Sequence, residues 1–545
     1  MSASNKKKLR KEQEAAKLTE KQLSAQKEAK KTSLYTIAFV AVMAVLLVVA
    51  ICVGVSQTIA NSGIREKNTT ALTVGDHKIN SVEMNYFYMD AVNQFYSNYG
   101  SYAAMFGLDV TAPLNEQVTD EETGKTWADD FLDSAKENAR AVYAMADAAN
   151  AAGFTLSEDE LASIETTGSN LDAYATLYGY SDADAYLKAM YGNGATKKSY
   201  LEYCKLSSLA NAYYNHYGES LTYEDADLRA KEADNFSAYS SFTFNTYYLA
   251  ASRFLEGGTT DADGKTTYSD EEKAASVAAA EEAAKALTSE DITSVEDLNA
   301  AIAALPVNEG TDASSTAYTD TLYSSVSSIY VDWVSDSSRK EGDLTYIANT
   351  STVEAEDGTE TTTVNGYYVV YFVSSNDNSF PLVNVRHILV AFEGGTKDEA
   401  TGTTTYSDEE KAAAKSAAEE ILAQWKSGDA TEDSFAALAN EKSDDGDGTT
   451  GGLYEDVYPG QMVTNFNDWC FDSSRKSGDT DIVETEYGYH VMYFVGESDT
   501  TYRDYMLKNE MRSADLSNWY QEMTESITMT DGNFKYVRMD LTLSK

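Results

Sequence analysis

The sequence predicts a multidomain α+β protein preceded by an N-terminal transmembrane helix. Three observations lead there. Three segments recur in the same order, helical periodicity fills the region before their first copy, and an uncharged apolar stretch follows a basic leader. The 545 residues are enough for about three or four domains. A hydrophobic content of 43% with 11% aromatics supplies ordinary cores and argues against global disorder.

The leader comes first. Residues 1–31 hold ten Lys/Arg and four Asp/Glu, a net of +6, so the remainder carries −52 against a total of −46. An acidic body of this size excludes nucleic-acid binding through backbone phosphates. It favours solubility and the attraction of basic partners or loosely held cations. Residues 34–55 carry no charge and have the length needed for the roughly 30 Å hydrocarbon core of a bilayer. With the basic run before them, residues 1–33 are expected in the cytoplasm and everything after about residue 56 outside. The length of the leader favours a retained anchor over a cleaved signal peptide. Cys52 lies in the span, and Cys204 and Cys470 lie far apart, so there is neither a disulfide framework nor zinc spacing.

Beyond a short linker at 61–70, residues 71–80 read as a strand and turn. Residues 81–235 then read as helices, with Ser157 and Glu160 spaced as a capping box. Aromatic and aliphatic residues recur at helical spacing through 86–99, 131–145, 171–191 and 200–217. Amphipathic packing explains that pattern, and an exposed cradle for unfolded chains is the sharper reading of the same tyrosines. A predicted helix at 501–527 and strand at 534–543 would be unstable alone. They are expected to complete the 71–235 domain, the strand pairing with 71–79.

Between these ends lie two copies of one fold, 242–373 and 383–496. EGGTTDADGKTTYSDEEKAA from Glu256 returns as EGGTKDEATGTTTYSDEEKAA from Glu393. DWVSDSSRKEGD from Asp332 returns as DWCFDSSRKSGD from Asp468, and NGYYVVYFV from Asn365 as YGYHVMYFV from Tyr487. In the first copy, helices are expected near 270–287 and 295–304, and 349–364 reads as a hairpin loop without apolar periodicity. In the second, strands at 383–391, 453–457, 481–484 and 490–495 alternate with helices at 407–427, 432–440 and 463–471. That order suggests a four-stranded antiparallel sheet with helices on one side. His387 and His490 belong only to the second copy. The first has tyrosines near those places, about Tyr247 and at Tyr368, which suggests one working domain and one structural domain. The acidic run near Asp261 places poor ligands at the ends of a calcium loop and is not read as a metal site. His77 and His216 read as structural or surface residues.

Four runs of the second copy resemble the parvulin-type peptidyl-prolyl isomerases: VRHILVAF from Val385, FAALANEKSDDG from Phe435, GGLYEDVYPGQMVTNF from Gly451 and VETEYGYHVMYF from Val483. The resemblance implies a pocket with His387 and His490 at its floor and Asp445 where the family has cysteine or aspartate, these three being the catalytic candidates. It implies substrate-binding walls from Met462 and Phe466, which would receive a proline ring. Tyr454 falls where the family commonly has leucine and Tyr487 where many members have a small or hydroxylated residue, so both bear on pocket shape. No cofactor or metal is implied, because no bond is made or cut.

The layout also resembles membrane-attached foldases of the PrsA/SurA type, in which a helical chaperone domain is interrupted by isomerase repeats. It implies a single-pass membrane protein, with most of the chain extracytoplasmic, that isomerises X–Pro bonds in unfolded or partly folded exported proteins and acts as a chaperone. A catalytically silent holdase is the alternative, and an envelope protein that reuses the fold is a third. Pairing of two copies into a homodimer stays open.

Overall fold

The computed structural model describes residues 3–11, 13, 42–43, 45–49, 57–59, 61–289, 291–354, 358–398, 401–446 and 448–543. Most of the predicted span at 34–55 lies outside these residues, as does Cys52. Among the described residues no helix is long and apolar enough to cross a membrane. The chain divides into two compact units, 1–221 with 514–545, and 222–513.

The first unit is built from both ends of the chain. Its small sheet has the order Met529–Asp531, Thr70–Val74, His77–Asn80, all antiparallel, with Leu72 opposite Asp531. Asn80 starts the helix Ser81–Tyr99 by accepting the N–H groups of Val82 and Glu83. The helices Trp127–Ala152, Glu158–Leu177, Ala183–Tyr191 and Lys197–Ser220 follow. Ser157 and Glu160 form the capping box: the Glu160 N–H donates to the Ser157 hydroxyl, and the Ser157 N–H to the Glu160 carboxylate. The predicted run 171–191 divides because Asp182 opens a new helix by accepting the Ala185 N–H. Many of the tyrosines are core. Tyr86 is buried, with the rings of Tyr191, Tyr200 and Tyr203 at 5.0, 5.3 and 5.3 Å. Others are not, and Tyr102, Met105 and Phe106 form an exposed knuckle in which Met105 is 82% exposed.

The C-terminal pairing differs from expectation. The strand that joins Thr70–Val74 is Met529–Asp531, and 534–543 is irregular. The Asn85 carboxamide donates to the Tyr536 carbonyl (3.1 Å) and accepts the Arg538 N–H (2.9 Å), while Val537 is buried among the helices. A side chain thus satisfies backbone groups that a sheet ladder would otherwise take.

The second unit holds two four-stranded antiparallel sheets of identical order. The first runs Thr316–Leu322, Ser241–Ala250, Glu360–Asn376, Leu344–Glu354, and the second Leu453–Val457, Pro381–Ala391, Gly488–Thr501, Thr480–Glu484. Residues 349–354 and 360–364, read as part of a hairpin loop, are paired strands in which β-prone threonines face each other and the hydroxyls of Thr352 and Thr362 bond at 3.0 Å. In the second repeat, helices Asp408–Ser427 and Glu432–Lys442 pack on the sheet face carrying Ile388 and Val491. The short helix Thr464–Cys470 packs on the opposite face, against Val385, Met492 and Phe494, so helices cover both faces rather than one.

The recurrent segments are structural. Glu410 accepts the N–H groups of Ser407 and Gly395, as Glu272 accepts those of Ser269 and Gly258, so one carboxylate caps a helix and pins the loop before it. Arg475 lies 4.4 Å over Trp469 and Arg339 4.7 Å over Trp333. At Gly488 (φ 155°) a Cβ would lie 2.1 Å from the Val390 carbonyl oxygen, and at Gly366 (φ 154°) 2.3 Å from that of Leu249.

Arg503 closes this unit. Its buried guanidinium donates to Glu232 (2.9 Å), to the carbonyls of Asp377 and Phe236 and to the Ser240 hydroxyl, and lies 3.7 Å over the Phe236 ring. Removing one member of a buried pair strands the other charge. Arg503→Ala is therefore expected to cost about 3 kcal/mol or more. Lys411→Ala, which breaks an exposed 3.4 Å pair with Glu484, should cost under about 1 kcal/mol. Denaturant unfolding of the two variants checks this ordering.

Candidate functional site

His387 lies on the strand Pro381–Ala391 and His490 on Gly488–Thr501. The register sets Leu389 opposite His490 and His387 opposite Met492, so the two histidines are diagonal neighbours on one face. Both are buried, at 3% and 6% exposure. Their Nδ1 atoms are 3.0 Å apart and their ring centroids 5.1 Å. The His387 Nε2 is 3.0 Å from Asp445 Oδ2, and the His490 Nε2 is 2.9 Å from the Thr485 hydroxyl.

The chain of bonds has a direction. Burial pulls the His387 pKa down, and the opposing pull of Asp445 does not cancel it. Burial and then the neighbouring His387 bring His490 down to about 4. Both imidazoles are therefore neutral near pH 7, and each has one donor and one acceptor. The Asp445 carboxylate only accepts, so the proton of His387 sits on Nε2 and its Nδ1 accepts. The proton of His490 must then sit on Nδ1, leaving its Nε2 to accept the Thr485 hydroxyl. The contact between His387 and Asp445 is a hydrogen bond from a neutral ring rather than an ion pair. Tyr454 donates to the same carboxylate oxygen at 2.9 Å, and burial together with that bond pushes its phenol up to about 12.

The loop that carries Asp445 is laced to the His387 strand. Leu389 donates to the Ser443 hydroxyl, Asp444 N–H to the Leu389 carbonyl, and Ala391 N–H to the Asp444 carboxylate. Beyond the loop, the His387 N–H donates to the Gly452 carbonyl at 2.9 Å. A Cβ on Gly452 (φ 65°) would lie 2.1 Å from the His387 carbonyl oxygen, so only glycine lets the chain pass there.

Above this floor opens a cavity of about 310 Å³. It is lined by all seven residues singled out from the sequence: His387, Asp445, Tyr454, Met462, Phe466, Tyr487 and His490. Phe466 stands edge-on to both imidazoles at 5.4 and 5.3 Å, and Tyr487 is 58% exposed and leaves the cavity open. Sequence reasoning missed Leu389, Gln461, Val463 and Thr485. Strand alternation from His387 would have found Leu389. Thr485 carried no signal, since its role rests on the turn that brings it back to His490.

The register also corrects the first repeat. Gly366 pairs with Ala250 as Gly488 pairs with Ala391, so Thr246, not Tyr247, stands where His387 does, and Tyr368 where His490 does. Tyr247 points to the helix-covered face and donates to Asn308 at 2.9 Å, because a shift of one residue reverses the face. On the other face, Tyr318 stacks on Phe244 (4.8 Å), and Tyr330 and Tyr248 meet Tyr368 at 5.4 and 4.6 Å. Aromatic rings occupy the side of this sheet that carries the cavity in the second repeat.

Comparison with known proteins bears on the domain that holds this cavity. A family described as the PPIC-type PPIase domain matches residues 367–497, opening ahead of the predicted start at 383, inside the strand Glu360–Asn376. This stretch of the chain is a parvulin-type peptidyl-prolyl isomerase domain. Solved structures similar to parts of the chain include the PPIase domain of TbPar42, 27% identical, covering 21% of this chain and 98% of that one with a TM-score of 0.17. PrsA from Bacillus cereus is 25% identical, covering 28% and 50% with a TM-score of 0.17. PrsA from Bacillus subtilis is 28% identical, covering 26% and 47% with a TM-score of 0.16. The chain spans about half the length of these two PrsA structures. No curated protein matches it.

The bond directions are measurable. Imidazole ¹⁵N NMR should show the proton on Nδ1 of His490 and on Nε2 of His387, with both rings titrating below the ordinary histidine range and His490 near pH 4. In the unfolded chain a histidine binds its proton near pH 6.5, whereas His490 waits until about pH 4. Stability from this pair is therefore full above about pH 6.5 and declines as the pH falls toward 4. Replacing His490 by Gln should flatten that part of the denaturation profile.

Proposed function

We propose that this chain is a peptidyl-prolyl cis–trans isomerase whose working site is the cavity over His387 and His490. The observation that carries this reading is the pairing of an apolar, solvent-open hollow with a floor of two buried, mutually hydrogen-bonded imidazoles. Rotation about a peptide bond costs about 18–20 kcal/mol because amide resonance must be broken. No nucleophile is needed. A catalyst has to hold the ring and favour the twisted amide over either planar form. Met462 and Phe466 grip the pyrrolidine. The neutral imidazoles and Asp445 offer a fixed polar surface under the rotating carbonyl, already organised before substrate arrives. The first repeat, with Thr246 and Tyr368 in place of the histidines, is non-catalytic.

The setting of this activity belongs to the same proposal. The uncharged stretch 34–55 after a basic leader supports a membrane anchor with the rest of the chain outside, where exported polypeptides are the clients. The exposed knuckle of Tyr102, Met105 and Phe106 supports a chaperone role for the helical unit, the feature that also favours the holdase reading.

A proline-peptide isomerisation assay on the full chain tests the reading. The wild type should accelerate exchange, and His387→Ala and His490→Ala should each lower kcat/KM at least about tenfold. Absence of acceleration, with aggregation of a client still suppressed, would leave the silent holdase.

A further inference from the structure

We infer that the preferred substrates of this site carry lysine or arginine immediately before the proline. The inference rests on the isomerase reading and adds the class of residue that the cavity selects.

Among the described residues lining the cavity, Asp445 is the only one with a carboxylate side chain. Its two bonding partners there, the neutral His387 and the Tyr454 hydroxyl, both donate to Oδ2. Neither brings a positive charge. Its side chain is 40% exposed, so this carboxylate lies within reach of a bound peptide. The basic residues nearest in sequence are engaged elsewhere. Arg386 is turned to the other face, where it bonds Glu432 (2.9 Å) and the carbonyls of Thr450 and Gly451. Lys442 pairs with Glu441 at 2.8 Å. Among the described residues lining the cavity there is no lysine or arginine.

A half-dry carboxylate without a counterion attracts a cation more strongly than one in bulk water. Met462 and Phe466 supply apolar side chains to the cavity and Asp445 its carboxylate, so a proline ring held by the former leaves the preceding residue to meet the latter. Lysine and arginine reach such a carboxylate while laying their methylenes along the Tyr454 and Tyr487 rings. An acidic or phosphorylated residue in that place meets uncompensated like charge. The body charge of −52 acts in the same direction, drawing basic segments toward the chain at low salt.

The test uses the full chain and a series of Ala-Xaa-Pro-Phe peptides with Lys, Arg, Ala, Glu or phosphoserine before proline. Both kcat/KM for isomerisation and the dissociation constant from peptide titration are measured. Lysine and arginine should exceed glutamate by about tenfold in each at low ionic strength, and the gap should shrink by half a molar salt. Asp445→Asn should bring the Lys/Glu ratio close to one, whatever it does to the overall rate. Equal or better use of glutamate by the wild type overturns the inference, as does a wild-type ratio insensitive to salt or a ratio unchanged in the variant. If no peptide is isomerised but Lys-Pro still binds more tightly than Glu-Pro, the charge preference stands and the isomerase reading falls.

Discussion

The site depends on two imidazoles remaining uncharged. A neutral pair lets one chain of hydrogen bonds run from Thr485 through His490 and His387 to Asp445 with every donor and acceptor of the two rings used. A proton added to His387 would set two Nδ1–H groups against each other at 3.0 Å, and one added to His490 would take away the acceptor at Nε2 that the Thr485 hydroxyl uses. Dryness is what keeps the pair neutral, and dryness follows from the fold. Phe466 caps both rings, the sheet closes them beneath, and Gly452 brings the backbone against His387 where a side chain would hold it off. The neutral polar floor here is a consequence of apolar packing.

The duplicated segments explain why one fold supports a site once and not twice. Each preserves a structural joint: the glutamate that caps a helix and pins a loop, the arginine over a tryptophan, the glycine pressed on a neighbouring strand. None of these touches the cavity. The chemistry sits mostly between them, on the loop 443–452 and the strand position of His387, where the two copies differ. The exception is His490, inside the third segment, whose counterpart Tyr368 keeps the fold and forfeits the imidazole. Filling that face with Tyr318, Tyr330 and Tyr248 keeps the first repeat well packed without a floor of buried polar groups to satisfy.

How much could be read in advance follows from the range of the interactions. The helix Asp408–Ser427 and the strand Leu453–Val457 are legible because capping and alternation are local. The seven site residues are legible because the four motif runs keep their spacing. What escaped was non-local. Tyr247 was paired with His387 by similarity, and only the register between strands shows that Thr246 holds that place. Residues 534–543 have the apolar alternation of a strand, yet Asn85, from the other end of the chain, takes their backbone groups. Residues 349–354 and 360–364 lack apolar periodicity because most of their side chains on both faces meet water, where a strand needs β-propensity and no hydrophobic alternation.

The arrangement also orders the folding of the chain. The strand Thr70–Val74 pairs locally with His77–Asn80 but cannot find its other partner until Met529–Asp531 has been synthesised, so the unit made from both ends is completed last. The repeats between have only local and internal partners and can fold while the ends wait. Closing so long a loop costs entropy that rises only slowly with length, provided the insert brings its own ends together. Arg503 and Glu232 do that. Glu232 lies in the helix Asp225–Asp234 by which the chain enters the repeat unit, and Arg503 in the first turn of the helix Tyr502–Ser526 by which it leaves. Their buried bond, with Asp377 and Phe236 held to the same guanidinium, joins entry and exit from within the insert. A chain so connected reaches its second pairing problem with the distance already spanned.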